Sequence, residues 1–307
     1  MTITQLKYII AVASSSSMNE AAKKLFISQP SLSASIKDLE SEIGFDIYTR
    51  SNRGVALTSK GKEFIGYARQ VVMQYELMEN KYINGGEQKK HFSVSSQHYA
   101  FAVDAFAKMV QLFGMAEYEF AFYETKTYEV IQDVKNFKSE IGILYVNEFN
   151  RKVFKKLFSD FDLEFHPIVD CDAYVYMWKE HPLAHKTMVS MEELVDYPCL
   201  SFEQGDNNSF YFSEEMISTY QYKQLIKISD RATGLNLMKG LQGYTICSGI
   251  LCEELNGDDF TAVKLKENER MTVGYVLRKN LKVSKLAEIY LEKIQEYISK
   301  REIQKMG

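Results

Sequence analysis

Residues 18–62 read MNEAAKKLFISQPSLSASIKDLESEIGFDIYTRSNRGVALTSKGK, and this stretch decides the N-terminal fold. It predicts two short helices joined by a tight turn. Three apolar residues give the first helix its stripe: Ala21, Ala22 and Leu25. Asn19 is its predicted N-cap, and Ser28 is the predicted cap of the second helix. Pro30 is tolerated there because an N–H in the first turn has no helical partner.

The second helix has two chemically different faces. Its apolar residues recur at i, i+4, i+7 and i+11, a spacing that predicts one buried face. They are Leu32, Ile36, Leu39 and Ile43. The other face and the N-terminal tip hold short, mostly polar side chains: Ser28, Gln29, Pro30, Ser31, Ser33, Ala34 and Lys37. Because such side chains let the backbone lie close to base edges, this helix suits a DNA major groove.

The flanking segments complete a small domain. Thr2 and Gln5 have the spacing of a capping box, which opens a helix before the quoted stretch. After the second helix, residues 48–57 alternate loosely around Asn52-Arg53-Gly54, a turn that would present Arg50 and Arg53. The prediction is a core of three helices followed by a basic hairpin, or wing.

This segment resembles the winged helix-turn-helix of LysR-type transcriptional regulators. The residues that match are Ala21-Ala22, Leu25, Ser28-Gln29-Pro30, Leu32-Ser33, Ile36, Leu39-Glu40, Gly44, Arg50, Leu57-Thr58 and Gly61. So many matches over some forty residues are more specific than a lone motif; a generic three-helix interaction module is the alternative. The chain departs from the family at Ala34, Ser35 and Asp38, where basic or amide residues are usual, and this would alter affinity or sequence preference.

Charge is divided unevenly along the chain. Residues 1–62 hold eight Lys/Arg against five Asp/Glu, leaving 29 against 36 for residues 63–307, so the head is basic and the body acidic. This fits a protein that touches DNA at one end, although chance scatter of surface charge would also produce it. No run of 18 apolar residues and no secretory signal is found, which predicts a cytoplasmic protein without a membrane span.

Cysteine and histidine spacing predicts neither a metal site nor a cofactor. Cys171, Cys199, Cys247 and Cys252 form no C-x-x-C pair, and reduced buried thiols are expected, with a thiol switch at 247 and 252 as the alternative. His181 and His185 are four apart, but Pro182 argues against a shared helix face.

Residues 59–86 are predicted to form a long linker helix that begins after Thr58 and ends at Gly85-Gly86. Its apolar residues recur in alternating steps of four and three: Phe64, Ala68, Val71, Tyr75, Met78 and Tyr82. Such a heptad seam packs either on a partner helix or on the chain's own body. The resemblance favours the partner, since this helix forms the dimer contact in LysR-type regulators.

The remainder alternates strands and helices, which predicts α/β sheets. Strands are expected at 92–96, 118–123, 141–146, 165–169, 173–178, 199–202, 225–229, 244–247 and 272–277. Helices are expected at 99–112, 127–137, 190–195, 209–220, 231–241 and 284–299. Through His181-Pro182-Leu183-Ala184, the 233–240 helix and Gly243, this half resembles the LysR effector domain, a two-lobed fold like type 2 periplasmic binding proteins.

The resemblance divides the chain into four parts. They are a winged helix-turn-helix domain at 1–58, a linker helix at 59–86, lobe I at 91–163 plus 268–307, and lobe II at 164–267. The fold class is therefore α/β overall with an all-α winged head, and the chain is expected to cross between lobes twice at a hinge.

Polar residues at the predicted strand ends and helix starts indicate a ligand cleft between the lobes. The candidates are Ser95, Ser96, Gln97, Thr125, Lys126, Thr127, Tyr145, Ser201, Glu203, Asn207, Ser209, Thr233 and Ser248. Each could alternatively be a helix cap. Lys126 and the helix N-termini favour an anionic group, and Glu203 could pair with an amine, so an anionic or amino-acid-like effector is predicted.

The predicted function is a sequence-specific transcriptional regulator, not an enzyme. A homodimer or homotetramer would bind double-stranded DNA and a small-molecule effector, with RNA polymerase as a further candidate partner. Gln29, Pro30, Ser31 and Ser33 are expected at base edges, and Lys37, Arg50 and Arg53 at phosphates. Two rivals stay open: an enzyme with a DNA-binding head, for which no reactive constellation is found, and a module that docks protein.

Overall fold

The computed structural model describes residues 1–15, 17–51, 54–82, 90–114, 117–207, 209–252, 255 and 257–306. The chain divides into two compact units, Met1–Lys89 and Lys90–Gly307. Both the predicted winged domain and the predicted linker helix fall within the first unit. In the described part of the chain, no helix is long and apolar enough to cross a membrane.

The first unit is helical with a two-stranded wing. Its elements are α1 (Ile3–Ala13), α2 (Met18–Lys24), α3 (Gln29–Ile43), β1 (Tyr48–Ser51), β2 (Gly54–Leu57) and α4 (Ser59–Tyr82). The capping box of Thr2 and Gln5 is confirmed at the start of α1. Asn19 is not the cap of α2, because the helix starts one residue before it and the Ser17 hydroxyl accepts the Glu20 N–H at 3.2 Å.

Helices α1, α3 and α4 share one apolar core. Leu32, Ile36 and Leu39 of α3 are buried at spacings of four and three, as predicted. Residues of α4 close the core from the other side: Ile65, Ala68 and Val72. Because these side chains recur at one face of each helix, burial holds the helices together while the opposite faces stay in solvent.

The first turn of α4 lies against the start of the wing. A Cβ atom on Gly61 would be 2.0 Å from the carbonyl oxygen of Ile47, so only glycine permits this approach. The Thr58 hydroxyl accepts the Gly61 N–H at 2.8 Å and donates to the Asp46 carbonyl at 2.8 Å. The Leu57-Thr58 and Gly61 motif thus fixes the wing to α4.

The second unit contains two sheets. The first has strand order β4-β3-β5-β13-β6, from β3 (Lys90–Ser96), β4 (Tyr118–Glu124), β5 (Ile141–Val146), β6 (Leu163–Asp172) and β13 (Arg270–Arg278). Strand β3 runs parallel to β4 and β5, and β13 runs antiparallel to β5 and β6. This sheet and its helices form lobe I: α5 (Ala100–Gln111), α6 (Thr127–Lys135), α7 (Arg151–Asp160) and α9 (Lys285–Met306).

Strand β5 shows why lobe I has helices on both faces. Every residue of this central strand is buried. Ile141, Ile143 and Tyr145 belong to the core that contains α5 and α9 residues, whereas Leu144 and Val146 belong to the core that contains α6 and α7 residues. Alternate side chains of a strand point to opposite faces, so a continuous apolar strand needs cover on both sides.

The second sheet, with helix α8 (Arg231–Leu241), forms lobe II. Its strand order is β10-β9-β11-β7-β12-β8. The strands are β7 (Tyr174–Trp178), β8 (Met188–Val189), β9 (Cys199–Phe202), β10 (Leu225–Ile228), β11 (Tyr244–Cys247) and β12 (Phe260–Leu265). Strands β9, β10 and β11 are parallel, while β7 pairs antiparallel with β11 and β12.

The chain passes between the lobes at two neighbouring points. One is the short link from β6 to β7, and the other is the link from β12 to β13. The Ala173 N–H donates to the Glu269 carbonyl at 3.0 Å, and the Leu265 N–H donates to the Ala173 carbonyl at 3.0 Å. Asp172 also pairs with Lys264 at 2.7 Å and Arg270 at 3.1 Å, so the two crossings are tied together.

Several sequence predictions differ from the structure. Helix α7 was not predicted, nor were β8 and β12. The helices predicted at 190–195 and 209–220 are wrong: the first is a run of turns, and the second contains only a 3-10 turn at Phe210–Phe212. Strand β6 pairs with β13 of lobe I along its length, whereas the sequence-based division at 163/164 assigns it to lobe II.

Candidate functional site

Helix α3 presents its polar side to solvent. Its N-cap Ser28 accepts the Ser31 N–H at 3.2 Å, as predicted. The side chains placed on this face are at least partly accessible: Ser28, Gln29, Pro30, Ser31, Ser33, Ala34 and Lys37. The Gln29 side-chain amide donates to the Ser33 hydroxyl at 2.8 Å, which leaves the amide oxygen of Gln29 available as an acceptor.

A carboxylate of α3 binds the start of the wing. Oε1 of Glu40 accepts the N–H groups of Ile47 at 2.8 Å and Tyr48 at 3.1 Å. Strands β1 and β2 then pair antiparallel, with Arg50 opposite Val55. The side chain of Arg50 and the whole of Arg53 lie outside the described residues, so their contacts with phosphate stay predictions.

The turn between α2 and α3 contains an unusual residue. Phe26 has a φ of +55°, and its side chain is 95% exposed. A bulky residue in the left-handed region costs conformational energy, and no burial offsets that cost within the first unit.

Helix α4 has an apolar stripe that this chain's own core does not cover. Of the predicted seam, Ala68 is buried in the unit's core, while Val71 and Met78 are 45% and 55% exposed. Tyr67 is 54% exposed, and with Val71, Gln74 and Met78 it follows steps of four, three and four. The buried stripe and the exposed stripe therefore lie on different sides of one helix.

In the second unit, Gln97 is the centre of a buried hydrogen-bond cluster at the end of β3. Its side-chain amide donates to the Thr127 hydroxyl at 2.5 Å, and its Oε1 accepts the Tyr145 N–H at 3.1 Å. The Thr127 N–H in turn donates to Oε1 of Gln204 at 3.0 Å, across the gap between lobes. Thr127 therefore contacts lobe II directly, whereas Gln97 binds Thr127 and Tyr145 within lobe I, and all three of these predicted ligand residues are buried.

Residues 203–207 and 209–215 of lobe II make further contacts with lobe I, and we call them the clasp. Lys126 pairs with Glu203 at 2.8 Å. The Tyr145 hydroxyl donates to the Ser213 carbonyl at 2.9 Å. Phe212 packs on Tyr128 and Phe154 with ring centroids 5.3 and 5.8 Å away. Because Lys126 and Glu203 neutralise each other, neither is free to bind an effector in this arrangement.

A cavity of about 110 Å³ lies between the lobes beside the clasp. Lobe I contributes His98, Tyr99, Ala100 and Met271 to its wall. Lobe II contributes Tyr176, Phe202, Glu214, Glu215, Arg231, Met238, Thr245, Cys247 and Ser248, among others. The site has therefore apolar walls with a few charged groups, the usual composition of a small-molecule pocket.

His98 and Glu214 form a buried hydrogen-bonded pair in this wall. Nδ1 of His98 is 2.8 Å from Oε2 of Glu214, and its ring stacks on Phe202 with centroids 3.7 Å apart. Burial disfavours the charged imidazole, but the hydrogen bond to Glu214 and the charge of Glu214 outweigh it and raise the pKa of His98. Arg231 of the same wall pairs with Glu124 of lobe I.

Glu215 organises the base of the clasp. Its carboxylate accepts the Phe202 N–H at 2.7 Å and the hydroxyls of Ser201 at 2.8 Å and Ser213 at 3.1 Å. Burial, followed by the nearby charge of Glu214, raises the pKa of Glu215. With three donors already bound, this carboxylate and Ser201 have a positioning role in the described arrangement.

The structure distributes the remaining predicted ligand residues over several environments. Ser248 lines the cavity. Ser95 donates to Asp133 at 2.6 Å inside lobe I, and Ser96 donates to the Gln97 carbonyl at 2.6 Å. Thr125 bonds to Glu129, and Thr233 bonds to its N-cap Asp230 at 2.7 Å. Asn207 and Ser209 lie in the clasp.

The sequence interpretation missed the charged groups of the wall, namely His98, Glu214 and Arg231. His98 directly follows the predicted Ser95-Ser96-Gln97, and Arg231 is the first residue of the predicted 231–241 helix. Their position beside predicted ligand residues and at a predicted helix start could have indicated His98 and Arg231. Glu214 could not be found in this way, because its placement depends on the clasp, which was predicted to be helical.

Two family models match the chain. One, for a bacterial regulatory helix-turn-helix protein of the lysR family, matches residues 3–62. The other, for a LysR substrate binding domain, matches residues 116–299. Among curated proteins, the chain is 24% identical over 292 residues to the uncharacterized HTH-type transcriptional regulator YbhD of Escherichia coli, covering 93% of this chain and 88% of that protein. It is 46% identical over 72 residues to the regulator TfdT of Cupriavidus pinatubonensis, covering 24% and 32%.

Solved structures share the fold. A full-length OxyR variant from Pseudomonas aeruginosa has a TM-score of 0.64 at 19% identity, over 97% of this chain and 94% of that one. CbnR, a LysR family transcriptional regulator, has a TM-score of 0.57 at 17% identity, over 97% and 99%. A winged helix-turn-helix joined to a two-lobed binding fold defines a DNA-binding regulator that responds to an effector. The chain belongs to the LysR family of transcriptional regulators.

Proposed function

We propose that this regulator reads its operator with α3 and responds to a small carboxylate or zwitterion bound between its lobes. The observation that supports the DNA contact is that α3 is buried on one side and accessible on the other. Leu32, Ile36 and Leu39 anchor the helix, so Gln29 and Ser33 face solvent on a rigid element. Amide and hydroxyl groups on such a helix can bond base edges, while Lys37 and the wing arginines would contact phosphates.

The proposed assembly is a dimer through the exposed stripe of α4, paired again into a tetramer. Tyr67, Val71 and Met78 form an apolar seam at heptad spacing on the helix side that the chain's own core leaves open. Burying it against a second copy would remove these side chains from water. A dimer would present two α3 helices to half-sites about one turn of DNA apart.

The effector is proposed to be small. The cavity of about 110 Å³ is smaller than the ~150 Å³ apolar cavity that holds benzene in an engineered protein. Its lining contains both basic and acidic side chains: His98 and Arg231 are basic, and Glu214 is acidic. A ligand carboxylate would compete with Glu124 for Arg231 or with Glu214 for His98, and a ligand amine would compete for the same two glutamates. This favours an amino-acid-like compound, because it carries both groups.

Binding would act by shifting the balance between lobe arrangements. The ligand would enter where the clasp contacts lobe I, so it would change the occupancy of the His98–Glu214 and Arg231–Glu124 pairs. A ligand that prefers one arrangement by about 1–3 kcal/mol changes DNA affinity by roughly 5- to 150-fold. The altered tetramer would then bend operator DNA differently and change the access of RNA polymerase to that DNA.

Catalysis is not part of the proposal. The matching relatives are named as transcriptional regulators, and each charged group of the cavity wall discussed above already has a bonded partner. Turnover of a metabolite by the purified protein would reverse this conclusion. A module that docks protein instead of DNA would be revealed by the absence of any specific gel shift.

Footprinting on the region upstream of its own gene tests the function as a whole. We expect a protected, interrupted palindrome, and a change in protection or affinity on adding one member of a panel of amino acids and small carboxylates. Isothermal titration with the same panel identifies the ligand without DNA. Binding of neutral or cationic compounds alone would contradict the proposed ligand class, and absence of sequence-selective protection would contradict regulation through α3.

A further inference from the structure

A second groove lies in lobe I and has its own set of lining residues. It runs between α7 and the strands β6 and β13, and its volume is about 530 Å³. None of the residues that line it also line the cavity beside the clasp. The groove is therefore a separate feature of the fold, and the regulatory scheme above does not use it.

The floor of this groove is apolar and aromatic. Phe154, Phe158 and Leu163 are buried beneath it, and Phe165 and Pro167 form the β6 side. The rings of Phe158 and Phe165 are parallel within 4°, with centroids 6.2 Å apart. Flat walls of this kind accept an aromatic ring or an aliphatic chain by contact and desolvation.

The rim of the groove is cationic. Arg151, Lys155 and Lys279 line it and are exposed. Among the described residues, none of these three side chains has an acidic partner, although other lobe I lysines do, as in the pairs Lys108–Asp104 and Lys138–Asp133. The acid on the rim is Glu164, which lies 3.8 Å from His166. The groove thus carries an excess of positive charge in an acidic body.

Size and chemistry together select the class of ligand. A volume of about 530 Å³ lies within the ~300–1,000 Å³ of small-molecule sites. A DNA backbone or an acidic protein surface would use the cations, but it would leave the aromatic floor in water. A compound with one apolar body and one anionic group would use both features.

We propose that the groove between α7 and β6 is a second ligand site, for a small amphipathic anion. The apolar body, an aromatic ring system or a short aliphatic chain, lies against Phe158 and Phe165. The carboxylate, sulfonate or phosphate group lies at the mouth, where Lys155 and Lys279 bind it. Ser159 is a neutral hydrogen-bonding group of the same rim, whereas the Thr272 hydroxyl already donates to Asp170 at 2.6 Å.

The test is a fluorescence titration of the full-length protein with 1-anilinonaphthalene-8-sulfonate, an anionic probe with an aromatic body. The double variant Lys155→Gln/Lys279→Gln removes two rim charges and is expected to weaken probe binding about tenfold. The control Lys152→Gln/Lys156→Gln removes two exposed lysines of α7 that do not line the groove, with the same change in net charge. It is expected to stay within about twofold of wild type.

A neutral probe separates charge from shape. N-phenyl-1-naphthylamine has the same aromatic body without the sulfonate, so it should bind wild type and both lysine pairs equally. Ser159→Trp places an indole over the floor and should weaken both probes. Circular dichroism and operator binding check that each variant is folded, since the groove is not part of the proposed DNA contact.

The results decide between clear outcomes. Selective weakening of the anionic probe by the rim pair supports the site. Equal weakening by both lysine pairs means a diffuse positive field, of the kind a nucleic acid or an acidic protein would use, and overturns the assignment. If neither Ser159→Trp nor the Lys155→Gln/Lys279→Gln pair changes binding, the probe lies elsewhere and the assignment is overturned. The assignment is also overturned if the wild-type protein binds neither probe.

Discussion

Lys37 offers the most direct test of how α3 sits on DNA. Its side chain is exposed on the face that holds Pro30 and Ser33, and it forms no ion pair among the described residues. In a dimer, Lys37→Gln removes two phosphate contacts. Each contact contributes about 0.9 to the slope of log affinity against log salt, so the slope should fall by roughly 1.8. Between about 50 and 200 mM salt, wild type should therefore lose about 12-fold more affinity than the variant.

The assay is fluorescence anisotropy on a labelled operator duplex over a salt series. Lys282→Gln is the matched control, since Lys282 is an exposed lysine of the second unit and its loss changes net charge equally. The control should keep the wild-type slope. The preference for operator over scrambled DNA should survive in Lys37→Gln, because phosphate contacts carry no sequence information. A wild-type slope in Lys37→Gln, or an equal fall in the control, would refute the placement of this lysine at phosphate.

Three further predictions concern stability. Gly61→Ala should lower the free energy of unfolding of the first unit by roughly 2–3 kcal/mol, because the new Cβ atom would lie 2.0 Å from the Ile47 carbonyl oxygen. An unchanged urea denaturation curve would show that the wing can shift to make room. Phe26→Asn should raise that free energy by about 1 kcal/mol, since asparagine tolerates the left-handed region better, and a lower melting temperature would mean that Phe26 makes a stabilising contact. His98→Gln tests the pair with Glu214. Because the pKa of His98 is raised in the folded protein, the pair stabilises fully below the unfolded histidine pKa of about 6.5 and less as pH rises through the folded pKa. The difference in melting temperature from wild type should therefore be larger at pH 6 than at pH 8.5, and a difference that grows with pH would contradict the pairing.

The sequence was most informative where local physics decides the structure. The Ser28 cap, the Thr2 capping box and the apolar spacing of α3 are all set by residues within one or two turns, and each is confirmed. Strand β5 was predicted at its observed bounds because a fully apolar run of six residues suits a central strand. The resemblance to LysR regulators supplied the two-lobed arrangement, which no local pattern contains.

The sequence was least informative where contacts between distant segments decide. Helix α7 is short and densely basic, and only Phe154 and Phe158 mark its buried side. The segment predicted as a helix at 209–220 instead lies along lobe I, since Phe212 and Ser213 find partners there. For the same reason, Lys126 and Glu203 looked like separate ligand groups, although they pair with each other.

The most direct test of the central claim is operator discrimination by Gln29→Ala. Competition binding would compare the footprinted operator with a set of duplexes that each change one base pair of a half-site. Wild type should prefer the operator, and the variant should lose discrimination at one position per half-site by about 1–3 kcal/mol, roughly 5- to 150-fold, with the other positions unchanged. If the wild-type protein binds operator and scrambled DNA equally, or if Gln29→Ala keeps full discrimination at every position, α3 does not read DNA through this face.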